Sequence, residues 1–218
     1  MIRNLLFIIF LSLLIVTTPV SLSQAGNATK FALELGSGDI VKGTNHLTKL
    51  SNEGNSTATF VLAQLLLEAK KIESARRLLI KSSELDHPIA MKFLATGYFK
   101  GAFGKIDYKK AKYWFEKSAK YRNINAMVYL GFIYRDGLGV SKNLKTAYRW
   151  FTIAGILKPN DSRHKEPEDF ADELKPSLTS SNIEDANRVA NNWLSQHPQK
   201  ANKIPGIPRI QSAKPNSD

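Results

Sequence analysis

The stretch from Ala90 to Phe151 repeats itself at a spacing of 36 residues. Ala90, Leu94, Tyr98, Gly101, Ala111, Trp114 and Phe115 recur as Ala126, Leu130, Tyr134, Gly137, Ala147, Trp150 and Phe151. Sequence periods of about 20–50 residues mark stacked supersecondary units, each of which buries its apolar face only against its neighbours. Such an array offers a long surface and no enclosed pocket, which favours binding over catalysis.

Each copy divides into two helical stripes. Ala126, Leu130, Ile133 and Tyr134 fall on one helix face, and Ala147, Trp150, Phe151 and Ala154 on another. Gly137-Leu138-Gly139 lies between them, where glycine adopts the positive φ that ends a helix and turns the chain. The spacing predicts antiparallel helices over about 124–136 and 143–156, and over about 88–100 and 107–121, with Pro88 at a helix start and Asp107 as a cap. Upstream, Ala75, Leu78, Leu79 and Ser82 keep the same phase. With a loop four residues shorter, Ala58, Leu62 and Leu66 do so too, predicting helices near 56–69 and 72–85. A further helix is expected over 39–53, and two more over 167–175 and 182–196, with Asn182 as cap and His197-Pro198 as stop.

Met1 to Ala25 has the layout of an export signal: Arg3, then the run Leu5–Val16 with only Ser12 polar, then Pro19 and the small residues Ser23 and Ala25. The run is short of the ~20 residues a membrane-spanning helix needs. An exported chain, periplasmic or secreted and of bacterial type, is expected; an uncleaved N-terminal anchor is the alternative. The chain has no cysteine, which removes disulfides, thiolate metal sites and Cys nucleophiles. Its formal charge of +12 is unevenly placed. Lys100 to Lys158 carries 13 Lys or Arg against 3 acids, whereas Lys165 to Asp185 carries 7 acids against 2 lysines. A basic surface on an exported protein suits an anionic polymer, lipid head groups or an acidic partner better than nucleic acid.

The recurring residues resemble the Sel1-like repeat, a relative of the tetratricopeptide repeat. Ala126-x-x-x-Leu130-Gly131-x-x-Tyr134-x-x-Gly137-x-Gly139-Val140 followed by Ala147-x-x-Trp150-Phe151 carries the resemblance best. Lys110-Ala111, Trp114-Phe115-x-Lys117-Ser118-Ala119 carries it in the preceding copy. The family's usual Asp and Lys are replaced by Asn143 and Thr146, and residues 56–85 lack both the glycine turn and the Trp. The resemblance implies an all-α fold, an α/α solenoid of helix pairs with C-terminal capping helices, serving as a non-catalytic scaffold for protein contacts. The organisation expected is a signal peptide (1–25), a partial repeat (26–55), a degenerate repeat (56–87), two Sel1-like repeats (88–123 and 124–158), a connection with capping helices (159–198) and a disordered tail (199–218). Trp114 and Trp150 are expected to fill the space between adjacent units. Gly131 and Ala95 are expected to let paired helices approach closely.

No catalytic set, cofactor or metal site is expected. His46, His87, His164 and His197 have no Ser or carboxylate partner at a recognisable spacing, and His164 with Glu166, Glu168 and Asp169 matches no ligand pattern. Gly137-Leu138-Gly139 lacks the Lys-Ser/Thr of a phosphate loop. Two surfaces remain as candidates. First helices line the concave face in this architecture, and their positions off the packed stripe are Phe60, Gln64 and Leu67, then Lys92, Thr96 and Phe99, then Val128, Phe132 and Arg135. Their mixture suits a groove for a segment of a protein partner. The second helices carry Lys110, Lys112, Lys117, Lys120, Lys145 and Arg149, an outer basic face matched to an anionic envelope polymer or lipid surface.

Overall fold

In the computed structural model the residues described are 40–158 and 167–198, so the expected signal segment and the tail lie outside them. They fall into two compact units. The first contributes a single described helix, α1 (Ile40–Asn52). The second begins at Asn55 and holds α2 (Ser56–Glu68), α3 (Ile72–Glu84), α4 (Pro88–Lys100), α5 (Tyr108–Ala119), α6 (Ile124–Asp136), α7 (Leu144–Leu157), α8 (Pro167–Leu174), a 3₁₀ turn (Lys175–Ser177) and α9 (Ser180–Gln196).

Three helix pairs, α2/α3, α4/α5 and α6/α7, stack in sequence through α3 against α4 and α5 against α6. The same side-chain chemistry starts each pair. Asn55, His87 and Asn123 accept hydrogen bonds from the amides of Ala58, Ala90 and Ala126 at 2.9, 3.1 and 3.1 Å, satisfying a donor that helix geometry would leave open. Asp107 and Asn143 cap the second helices in the same way, so the Asn that replaces the family's Asp keeps the cap. The first helices α4 and α6 stop at Gly101 and Gly137, both left-handed at φ 73° and 72°. The chain then returns so that Asp107 N donates to Tyr98 O, and Asn143 N to Tyr134 O. The α2/α3 pair has no such glycine; Lys70 takes the left-handed conformation there, in a tighter turn.

The core is built from small residues facing large ones. Ala90, Ala95, Ala111, Ala126, Ala147 and Ala154 are wholly buried beside Leu94, Phe115, Leu130 and Phe151. A Cβ on Gly131 would lie 2.3 Å from the Phe151 ring, so the α6/α7 approach requires glycine there. Buried hydroxyls tie successive helices: Ser82 donates to Ser56 O at 2.8 Å, and Ser118 to Pro88 O at 3.0 Å. Cations on the second helices reach forward to tyrosines, Arg76 to the Tyr98 hydroxyl and Lys112 to that of Tyr134.

Phe115 forms a wedge between units, in the same core as the buried Trp114 and Trp150. Phe115 stacks on Tyr129 of the next first helix, centroids 4.8 Å apart, and meets Phe99 edge-on. Trp114 and Trp150 are buried too, 8% and 7% exposed. At the end of the array, Phe170 of α8 stands against Phe151 at 5.3 Å, much as Tyr129 stands against Phe115. The short α8 thus takes the place of the next first helix. The last helix begins two residues earlier than expected, because Thr179 rather than Asn182 is its cap; the Thr179 hydroxyl accepts from the Asn182 amide. It lies along α7, with Trp193 edge-on to Trp150 and with Ala186 and Ala190 buried. Its end is held where Arg122 Nη1 donates to His197 O at 2.7 Å.

Candidate functional site

The nine residues expected along the first-helix row divide into packed and available ones. Phe60 is not available: it is 2% exposed, stacked on the His87 ring and met edge-on by Phe93, because its neighbours in the stack are large rings that enclose it. Phe132 is covered by Phe170, with centroids 5.0 Å apart, since α8 closes that end of the row. Phe99 is half-buried among Tyr108, Phe115 and Tyr129, and serves inter-repeat packing as well as the surface. Leu67 and Val128 also pack against the core from partly exposed positions. Thr96 spends its hydroxyl on Lys92 O of its own helix.

Gln64, Lys92 and Arg135 therefore carry most of the row's polar character. Arg135 lies over the Phe132 ring and forms a two-pronged pair with Asp136, whose carboxyl it holds below the usual range. Lys92 differs. Its ammonium sits 4.1 Å from the centre of the Phe93 ring, and burial lowers its pKa. The α4 helix carries no acid, and no ion pair places a carboxylate on Lys92 among the described residues.

The outer basic face is less free than its sequence suggests. Lys110 pairs with Asp107 at 3.2 Å, Lys112 with Glu116 at 2.8 Å, and Lys145 with Asp185 of α9 at 2.9 Å. Arg149 lies over Trp150. The acidic stretch therefore folds back on the basic one within the chain, with Glu168 also pairing with Lys158 at 3.4 Å. Lys117 lies over Tyr113 and Trp114, and Lys120 is exposed at the end of α5.

Sequence reasoning missed His87. Its Nδ1 accepts from the Ala90 amide, which requires the neutral ring, and burial pushes its pKa down to about 4. The signal was present in the repeat register, which places His87 where Asn55 and Asn123 stand. Among the described residues no group of three or more His, Asp or Glu side chains is placed to hold a metal. His164 and Glu166 lie outside the described residues. A hollow of about 240 Å³ between α7 and α8 is lined by Tyr148, Thr152, Ile156, Glu168 and Asp172. Both of its carboxylates are already paired, Glu168 with Lys158 and Asp172 with Lys175. No described helix is long and apolar enough to cross a membrane.

The family model described as the Sel1 repeat matches residues 88–120 and 124–157. Protein SHC1 of Saccharomyces cerevisiae is 31% identical over 106 residues, covering 49% of this chain and 20% of that protein. The chitin synthase regulator SKT5 of the same yeast is 30% identical over 126 residues, covering 57% of this chain and 17% of that protein. The chain thus spans about a fifth of the length of these curated relatives. Among solved structures, a protective antigen of uropathogenic Escherichia coli with an SLR fold superposes with a TM-score of 0.62 at 20% identity, covering 82% of this chain and 38% of that one. A Sel1 repeat protein from Oxalobacter formigenes gives a TM-score of 0.57 at 19% identity over 74% of this chain and 68% of that one. Both show the same α/α-solenoid fold. Sel1 repeat proteins generally mediate protein–protein interaction and are typically non-catalytic scaffolds.

Proposed function

We propose that this Sel1-repeat protein is an exported, non-catalytic scaffold that holds a segment of a protein partner along the row formed by α2, α4 and α6. One observation carries the reading. Lys92 keeps a half-buried ammonium with no carboxylate of the described residues paired with it, and burying a charge without a partner is costly. A partner carboxylate laid over Lys92 would remove that cost, while its apolar side chains would rest on the exposed edges of Phe93 and Phe99. Gln64 and Arg135 would flank the same segment. The partner is therefore an acidic segment with apolar residues, and the corrected row is Gln64, Leu67, Lys92, Phe93, Phe99 and Arg135.

The test is a photo-crosslinker at Gln64 in the full chain, expressed in its own cells, with and without Lys92→Glu. Crosslinking to a discrete partner is expected in the parent and not in the charge-reversed variant, with helical CD and thermal midpoint unchanged in both. Equal crosslinking in both refutes the reading. Export is tested separately by N-terminal sequencing of the protein recovered outside the cytoplasm; a chain still beginning at Met1 in the cytosol counts against it.

A further inference from the structure

The second helices are not equivalent in charge. On a helical wheel, Lys109, Lys110, Tyr113, Lys117 and Lys120 of α5 and its cap occupy one face about 100° wide. Lys109, Lys110 and Lys120 are exposed, and Tyr113 is 50% exposed at the centre of the stripe. The stripe extends about 16 Å along the helix at 1.5 Å per residue. Among the described residues only Lys110 of the stripe has an acid, Asp107, and the helix's one carboxylate, Glu116, is turned to Lys112 off the stripe. Lys117 is steered by the rings of Tyr113 and Trp114, at 4.9 and 5.1 Å from their centres.

Neither neighbouring second helix shares the feature. Glu73, Arg77, Lys81 and Glu84 occupy the matching places on α3, which mixes the signs. On α7 the matching Lys145 is taken by Asp185 and Arg149 lies over Trp150. The α5 stripe is a non-repeating element inside a repeating frame, so packing of the array does not account for it.

We propose that this face of α5 is a docking site for an anionic lipid surface, with Lys109, Lys110, Lys117 and Lys120 at the level of the head groups and Tyr113 entering the interface. Two features select lipid over a soluble polyanion. The four cations are all lysine, a point charge suited to a diffuse negative surface; a site that reads individual phosphates or carboxylates gains from the fork of arginine. The half-exposed aromatic at the centre has an apolar body and a polar tip, the form that settles at a membrane–water boundary. The site is separate from the first-helix row and does not depend on it.

The experiment is co-sedimentation of the full chain with phosphatidylcholine vesicles, with and without phosphatidylserine. The quantity read is the gain in binding that phosphatidylserine produces, because any contribution from the apolar run Leu5–Val16 is common to both vesicles. Removing Lys109, Lys117 and Lys120 together (K109Q/K117Q/K120Q) should reduce that gain about a hundredfold, at about fivefold per lysine. The control K70Q/K71Q/K142Q removes the same charge from exposed positions off the stripe and should leave most of the gain. Tyr113→Ser should weaken binding several-fold at low salt and at high salt alike, whereas the lysine effect is screened. An unchanged gain in the stripe variant, or an equal loss in the control, overturns the proposal. Heparin binding as tight as vesicle binding, indifferent to Tyr113→Ser, would also overturn it in favour of a soluble polyanion.

Discussion

His87 should make the array sensitive to mild acid. Its ring is 8% exposed, stacked on Phe60 at 4.9 Å, and its Nδ1 accepts the Ala90 amide that opens α4. Protonation turns that acceptor into a donor facing another donor and places a charge in an apolar setting. The unfolded chain takes up the proton near the ordinary value of 6.5, the folded one only near 4. Between those values the unfolded state binds more protons, so stability falls as pH falls. The full difference, at about 1.4 kcal/mol per pH unit, comes to about 3 kcal/mol, a large part of a domain's stability. The loss should be complete near pH 4, before the depressed carboxyls of Asp107, Asp136 and Asp185 take up protons. Urea denaturation followed by helical CD from pH 7.5 to pH 4.5 measures it. His87→Asn supplies the control, because Asn55 and Asn123 make the same cap with a side chain that does not titrate. The variant gives up the stack on Phe60 and should start somewhat less stable at neutral pH, yet lose far less on acidification. Parallel loss in parent and variant over that range would refute the assignment to His87.

Gly131→Ala should destabilise by about 1–2 kcal/mol in urea denaturation despite alanine's better helix propensity, because its Cβ would lie 2.3 Å from the Phe151 ring and overpacking prevails. Ser118→Ala should cost about 1 kcal/mol by removing the buried hydroxyl's bond to Pro88 O, measured in the same way. Phe170→Ala should cost about 2 kcal/mol, less than for a fully buried ring, and should raise ANS fluorescence by uncovering Phe132. No change in dye binding would mean that α8 does not cover the row.

The repeat register made most of the scaffold readable. Ala126 through Phe151 predicted α6 and α7 because apolar period, glycine turn and cap residues all agreed on one answer. Asp107 was readable as a cap for the same reason. The Phe115 wedge was not: Trp114 and Phe115 both recur at 36 residues, and only the geometry shows that Phe115 is the ring stacked on Tyr129 of the next first helix. The closing helix was misread by two residues because Asn182 and Thr179 are both good caps, and a string of letters does not rank them by φ and ψ. The first-helix row suffered most. Position on a helix wheel identifies which residues avoid their own pair's stripe, but not which are enclosed by the next helix along. Phe60 and Phe132 were lost to neighbours 27 and 38 residues downstream, His87 and Phe170. The outer face failed similarly, since the charge of Lys145 cancels against Asp185 forty residues later.

The closing helix also sets the direction in which the structure comes apart. In a linear array each unit is stabilised by its neighbours, so an end unit with one neighbour melts first. α9 spans from Asp185 against Lys145 to His197 on Arg122, joining the last pair to the turn that precedes it. The final pair therefore unfolds together with that turn, as one cooperative block. Unzipping of the repeat unit should begin at α2 and α3, whose amides should exchange with solvent before those of α6 and α7.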